Sequence, residues 1–155
     1  MIFYYTYQQK TKIFANSLSQ VLTMPTYELD AEINKKKGFG FMVKALSLVF
    51  GRKTSPVLNM PSSVPGQIYV CSPIWGGNIA PPAKFFLENT NLQNTTVNLV
   101  LTASAPTERY KQNALKYLSN IGCNVGDVYL FMTSSKILPD QEVLTGQLTE
   151  LLAGN

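Results

Sequence analysis

The strongest constraint on the fold is the alternation of continuous apolar runs with segments of helical periodicity. The runs are IFYY (2–5), QIYVCS (67–72), VNLVLT (97–102) and DVYLFMT (127–133), with a shorter one at 26–29. Strands that are apolar on both faces are typical of a parallel sheet covered by helices on both sides. The sequence therefore predicts one α/β domain, residues 1–155, with a five-stranded parallel sheet in a three-layer α/β/α sandwich.

The predicted helices lie between these runs. The first has its apolar face at Phe14, Leu18, Val21 and Leu22, a helical spacing. A second is predicted over residues 37–50, and Pro81 and Pro82 suit the first turn of a third. The fourth ends at Gly122, and the last begins near Pro139 and Asp140; their apolar faces are Tyr110, Ala114, Tyr117, Leu118 and Ile121, and Leu144, Leu148, Leu151 and Leu152.

The residue types present exclude several classes of chemistry. The chain contains no histidine, which excludes histidine-dependent triads, histidine-ligated zinc and histidine acid–base catalysis. Its two cysteines, Cys71 and Cys123, lack CxxC spacing, and we expect two reduced, buried thiols. We therefore predict neither a catalytic residue nor a metal site.

The charge of the chain is modestly basic, with a net charge of +4 and much of the excess within residues 35–53. Such a bias is typical of a solvated face, and it could also receive an acidic partner. No RNA-binding signature accompanies it, so nucleic acid is not a predicted partner. No apolar run is long enough to span a membrane, and the N-terminus lacks a secretory signal pattern, so we expect a cytoplasmic protein.

Ligands of open parallel sheets bind at the carboxyl ends of the strands, so the loops there are the candidate sites. The first loop is TYQQKT, residues 6–11, and it leads into a helix whose N-terminal amides favour an anion. Thr6 and Thr11 add hydroxyl groups and Lys10 adds a cation, a combination suited to a phosphate monoester. Alternatively, Thr11 only caps the helix.

The second and third loops offer a flat surface and small residues. SPIWGGNIAPP, residues 72–82, places the Trp75 indole beside Gly76 and Gly77, so a planar heteroaromatic ring could stack there. Alternatively, this tryptophan fills the core or covers the surface. In TASAPTERY, residues 102–110, Ser104 and Thr107 could approach the same ligand, or Thr107 could be a plain helix cap.

Three stretches together resemble the flavodoxin family. SPIWGGNIAPPAKFFLENTNL resembles the family's flavin-facing loop and following helix, where a strand ends in G/S-x-P-x-W/Y-x-G-x-x-x-P. GFGFMVKALSLVFGRKTSPV resembles the helical segment before the third strand, and FYYTYQQKTKIFANSLSQVL stands in the place of the first strand, phosphate loop and helix. The resemblance implies strand order 2-1-3-4-5 and a non-covalent FMN site.

The resemblance also implies roles for residues at matching positions. The residues implied to hold the FMN phosphate are Thr6, Tyr7, Gln8, Gln9, Lys10 and Thr11. Those implied to flank and hydrogen-bond the isoalloxazine ring, with Trp75 stacking on it, are Pro73, Ile74, Trp75, Gly76, Gly77 and Asn78. The third wall is implied to be Ala103, Ser104 and Ala105.

The sequence departs from the family pattern in two ways. Gln9 stands where the family's phosphate loop, T/S-x-T-G-x-T, has glycine, so we expect weaker phosphate binding or a different loop shape, partly offset by the charge of Lys10. The chain is basic whereas typical flavodoxins are acidic. We therefore expect the flavin hydroquinone to form more readily, at a less negative midpoint potential than in acidic flavodoxins. We also expect a redox partner different from theirs.

The predicted function is FMN-dependent electron transfer, as a carrier or a small flavin-dependent reductase. No GxGxxG fingerprint follows a strand, which favours transfer to a partner protein or small acceptor over an NAD(P)H-dependent enzyme. The alternative is a flavodoxin-like scaffold with weakened or lost FMN binding. Its basic segment, residues 35–52, would then dock an acidic protein or an anionic membrane surface. The sequence predicts no oligomeric state.

Overall fold

The computed structural model describes residues 1–29, 61, 63–133 and 140–154 of the chain. Within these ranges the strands are β1 (Ile2–Tyr4), β2 (Thr26–Glu28), β3 (Gln67–Trp75), β4 (Asn78–Ile79), β5 (Thr96–Ala103) and β6 (Asn124–Met132). The helices are α1 (Lys10–Leu22), α2 (Pro81–Asn89), α3 (Glu108–Ile121) and α4 (Gln141–Ala153). The predicted helix over 37–50, the basic segment 35–53 and Pro139 lie outside the described residues.

The sheet has the predicted parallel order. Its long path runs β2-β1-β3-β5-β6, and every neighbouring pair along it is parallel. Numbered without the short β4, these strands follow the order 2-1-3-4-5, so the predicted fold is confirmed. β4 is an addition, which pairs antiparallel with the end of β3.

Helices cover both faces of the sheet because successive side chains of a strand point to opposite faces. On one face, Ile2 and Tyr4 of β1 pack in a cluster with Phe14 of α1 and Leu144 of α4. On the other face, Phe3 belongs to the cluster that contains Ala83 and Phe86 of α2 and Ala114 and Leu118 of α3. Each fully buried Ile, Leu or Phe side chain in these clusters contributes about 1.5–3 kcal/mol. The three predicted layers are therefore present.

Strand β6 begins earlier than predicted, at Asn124. The ladder between β5 and β6 is irregular between Val97 and Leu99, and the buried Asn98 satisfies the backbone there. Its Oδ1 accepts from the Asp127 amide at 2.9 Å, and its Nδ2 donates to the Ile68 carbonyl at 3.3 Å. A Cβ on Gly126 would clash with the Asn98 side chain, which is itself held by hydrogen bonds, so glycine is required inside the strand.

Helix ends follow the predicted chemistry, with small differences in position. Gly122 ends α3 with φ of 79°, as predicted. Asp140 caps α4, since its side chain accepts from the amides of Glu142 and Val143. Cys71 is buried as predicted, whereas Cys123 is only half-buried, which corrects that expectation because it lies in the link between α3 and the edge strand β6. None of the helices in the described ranges is long and apolar enough to cross a bilayer.

Candidate functional site

Three chain segments meet at the carboxyl edge of the parallel sheet. They follow or extend β1, β3 and β5, which are neighbours in the sheet. The Tyr5 amide donates to the Cys71 carbonyl at 3.0 Å, so the chain leaving β1 stays beside β3. This bond joins the first and second segments, and the pairing of Pro73 with Thr102 joins the second and third.

The stretch predicted as a loop, residues 72–82, is instead mostly a β-hairpin. β3 continues to Trp75, and Ile74 and Trp75 pair with Ile79 and Asn78. The turn consists of Gly76 and Gly77, with φ of 56° and 80°. Two positive φ values in a two-residue turn are typical of type I′ hairpins, which strongly favour glycine. The predicted loop is therefore reduced to its two glycines, because Pro73, Ile74 and Trp75 continue strand β3.

Side chains hold the hairpin in place. The Ala80 amide donates to the Ser72 hydroxyl at 3.2 Å and to the Pro73 carbonyl at 3.1 Å, which anchors the returning chain. At the turn, Asn78 Nδ2 donates to the Gly76 carbonyl at 3.2 Å and Asn113 Nδ2 to the Gly77 carbonyl at 3.3 Å. Sequence reasoning missed Asn113. Its helical spacing from Tyr110 is the only signal that could have placed it near the hairpin.

Trp75 is the centre of an aromatic cluster that joins the first segment to the hairpin. Its ring centroid lies 5.7 Å from that of Tyr5 and 6.2 Å from that of Tyr7, and both pairs are edge-on. Trp75 is half-buried and packs on the core of the α2 and α3 face. Tyr5 is fully buried, and desolvation raises the pKa of its phenol, so it remains neutral. The core-filling alternative for Trp75 therefore applies to only part of the ring.

The segment from Thr6 to Gln9 is short, and its backbone turns sharply at Gln9. Thr6 is buried, whereas Tyr7, Gln8 and Gln9 are exposed. Gln9 has φ of 63° and ψ of −9°, the left-handed conformation that favours glycine. For a residue with a side chain this conformation costs about 1–2 kcal/mol. The backbone at Gln9 thus takes a glycine-like conformation without a glycine.

The start of α1 forms the remainder of the predicted phosphate segment. Lys10 and Thr11 lie within the first turn of the helix rather than in a loop, since α1 begins at Lys10. No side-chain hydrogen bond from Gln9 caps the helix, and its first turn contains no acidic residue. The first-turn amides and the helix dipole therefore favour an anion at this edge.

The Thr11 side chain connects α1 to β5. It is buried, and its Oγ1 lies 3.1 Å from Oγ1 of Thr102. The suggestion that Thr11 only caps the helix was wrong, because Gln9 occupies the capping position. The contact brings the predicted first and third segments together.

The third segment lines the edge next to β5. Ala103 is buried and its carbonyl accepts from the Thr133 amide at 2.8 Å, whereas Ser104 and Ala105 are exposed. Thr107 occupies the capping position of α3, as the plain alternative had it, without a side-chain cap hydrogen bond. All three predicted sets of site residues thus lie along one edge of the sheet.

No family model and no curated protein matches this chain. Solved structures do match. A candidate flavoprotein from Bacteroides uniformis has a TM-score of 0.74 at 17% identity, over 96% of both chains. A flavoprotein from Lactobacillus acidophilus in complex with FMN has a TM-score of 0.62 at 22% identity, over 83% of this chain and 90% of its own. Two-electron reduced Megasphaera elsdenii flavodoxin has a TM-score of 0.55 at 9% identity, over 97% of this chain and 99% of its own. The chain described above thus has the fold of the flavodoxins.

Proposed function

We propose that this protein binds FMN and transfers electrons. One observation carries the proposal: the half-buried Trp75 on its hairpin and the N-terminus of α1 lie at the same sheet edge, joined by the contact between Tyr7 and Trp75. FMN combines a flat heteroaromatic ring with a phosphate monoester. The two kinds of surface at this edge are those that the two halves of FMN need.

The phosphate side is suited to an anion for electrostatic reasons. The first turn of α1 carries Lys10 and Lys12 and no acidic residue. Together with the backbone amides and the dipole of the helix N-terminus, these cations favour a dianionic group. Thr6 precedes this turn and Thr11 lies within it, and both are buried; their hydroxyl groups would orient the phosphate.

The ring side is suited to a flat ligand because the turn presents backbone without side chains. A Cβ on Gly76 would meet no atom within 4 Å, so a ligand can approach this peptide closely. Trp75 supplies an aromatic surface next to it, and Ile74 and Asn78 border the turn. The exposed Ser104 and Ala105 would form the third wall. The solved structure of the Lactobacillus acidophilus protein, which contains FMN, supports this assignment on a common fold.

The electron chemistry belongs to the bound flavin, and the protein binds and orients it. A role in electron transfer with a partner protein or a small acceptor is favoured over NAD(P)H-dependent catalysis. The reason is that no GxGxxG dinucleotide-binding fingerprint follows a strand in the sequence. Mixing the flavin-loaded protein with NADPH alone tests this choice. We expect no bleaching, and rapid bleaching would indicate a reductase.

The first test is a fluorescence titration of the apo-protein with FMN and, in parallel, riboflavin. We expect FMN to bind with a micromolar or lower Kd and riboflavin clearly more weakly, because only FMN reaches the α1 N-terminus. Equal and feeble binding of both would mean that the phosphate site is absent. That outcome would support the alternative, a scaffold that acts through protein contacts.

A further inference from the structure

Both carbonyl groups of the Gly76–Gly77 turn accept a hydrogen bond from a side-chain amide. Asn78, which follows the turn, donates to Gly76 at 3.2 Å. Asn113 donates to Gly77 at 3.3 Å from helix α3, 36 residues further along the chain. The second bond fixes the turn relative to a separate element of the fold, which a local bond cannot do.

Tyr110 supports the turn from the same helix. A Cβ built on Gly77 would lie 3.4 Å from the Tyr110 ring, so the ring and the turn are in close contact. Tyr110 and Asn113 are three residues apart and share one face of α3. One face of the helix therefore contacts the turn through a ring and an amide.

Helix α3 is itself held firmly. Ala114 and Leu118 are buried in the core. The Tyr117 hydroxyl donates to Glu88 Oε1 at 3.0 Å and approaches the Lys84 carbonyl at 3.3 Å, both on α2. A side chain on this helix is thus held in place and can fix the position of the turn.

We propose that Asn113 is a positioning residue for the flavin ring, acting through the Gly77 peptide. This inference rests on the proposed function. Two adjacent glycines have the greatest backbone freedom of any pair, and a ligand that bonds their peptides must order them. Asn113 orders the Gly77 peptide before the ligand arrives, so less free energy is lost on binding.

The test compares Asn113→Leu, which removes the donor at similar size, with Asn113→Gln, which keeps an amide. The matched control is Gln112→Leu, because Gln112 is an exposed amide on the same helix that donates to Glu108 within that helix. Loss of one hydrogen bond predicts that Asn113→Leu weakens flavin binding by about two- to tenfold. Asn113→Gln should restore part of the affinity, and Gln112→Leu should change nothing.

Two further readouts separate positioning from general stability. The loss should be equal for FMN and riboflavin, because the turn faces the ring and not the phosphate. In the apo-protein, amide exchange at Gly77 and Asn78 should quicken in Asn113→Leu, while the thermal midpoint moves no more than in Gln112→Leu.

The inference is overturned if wild-type protein binds flavin and Asn113→Leu binds it equally well. It is also overturned if only FMN binding weakens, or if the loss follows the thermal midpoint without rescue by Asn113→Gln. If wild-type protein binds neither flavin, the proposed function fails and this inference falls with it. Unchanged exchange at Gly77 in a flavin-binding protein would contradict the inference alone.

Discussion

The Gly76–Gly77 hairpin and the Thr6–Gln9 segment border the same sheet edge, but they are built differently. The hairpin is held by strand pairing and by side-chain hydrogen bonds to both turn carbonyls. The Thr6–Gln9 segment turns through a strained residue, Gln9, and leads into a helix without a side-chain cap. The comparison indicates that the proposed ring surface is set by backbone geometry, whereas binding at the proposed phosphate surface would depend on charge and backbone amides.

Replacing the aromatic surface should have the largest effect. Trp75→Ala should weaken binding of FMN and riboflavin by a similar factor, because stacking on an aromatic side chain contributes about 1–3 kcal/mol, or about fivefold to 150-fold. Trp75→Phe, which keeps a flat ring, is the matched control and should retain much of the affinity. Fluorescence titration measures both. A loss confined to FMN would contradict the division of the edge into ring and phosphate sides.

Strain at the hairpin turn should have the next largest effect. Gly77 has φ of 80°, so Gly77→Ala should lower the free energy of unfolding by about 1–2 kcal/mol. Gly146→Ala is the matched control: Gly146 lies in α4 with open space around it, and alanine there should raise stability by about 0.5–1 kcal/mol. Urea unfolding of the apo-proteins measures both changes. If both variants changed the free energy of unfolding in the same direction, the positive φ at Gly77 would not be what makes glycine preferred there.

Relief of strain on the phosphate side should have the smallest effect. Gln9→Gly removes a left-handed strain of about 1–2 kcal/mol but adds unfolded-state freedom worth about 0.4–1 kcal/mol, so stability should change little. FMN affinity should rise, by about fivefold if 1 kcal/mol of strain opposes binding, and riboflavin affinity should not.

The control for that variant is Gln8→Gly, an exposed neighbour that adds flexibility without removing the positive φ of Gln9. Its FMN affinity should stay at or below that of wild type. Equal gains in the two variants would mean that flexibility, and not the conformation at Gln9, limits phosphate binding.

The sheet and the described helices were predictable because burial and periodicity agree in them. Phe14 and Leu18 lie on one helical face and are buried, and the runs at 67–72 and 97–102 are continuous because both faces of the sheet are covered. Strand order came from the resemblance to flavodoxins, since periodicity alone does not order strands. The convergence of the three segments followed from that order.

The contacts that shape the site were not predictable. β4 has two residues, too few to show any alternation, so the hairpin was read as a loop. Asn113 is an exposed polar residue on a helix, a common pattern, and its spacing from Tyr110 does not identify Gly77 as its partner. The left-handed backbone of Gln9 arises from the path between β1 and α1, which overrides the preference of the residue.

The hydrogen bond between Thr11 and Thr102 has a consequence for how the molecule folds. It joins residues 91 positions apart, and β5 lies on the far side of β3 from β1. Contacts of such long range form late, because the chain between them must be ordered first. The surroundings of the first turn of α1 are therefore completed only when β5 has joined the sheet. In a chain still emerging from the ribosome, the contact between Thr11 and Thr102 has not formed. FMN would therefore bind after the sheet has formed rather than nucleate its folding.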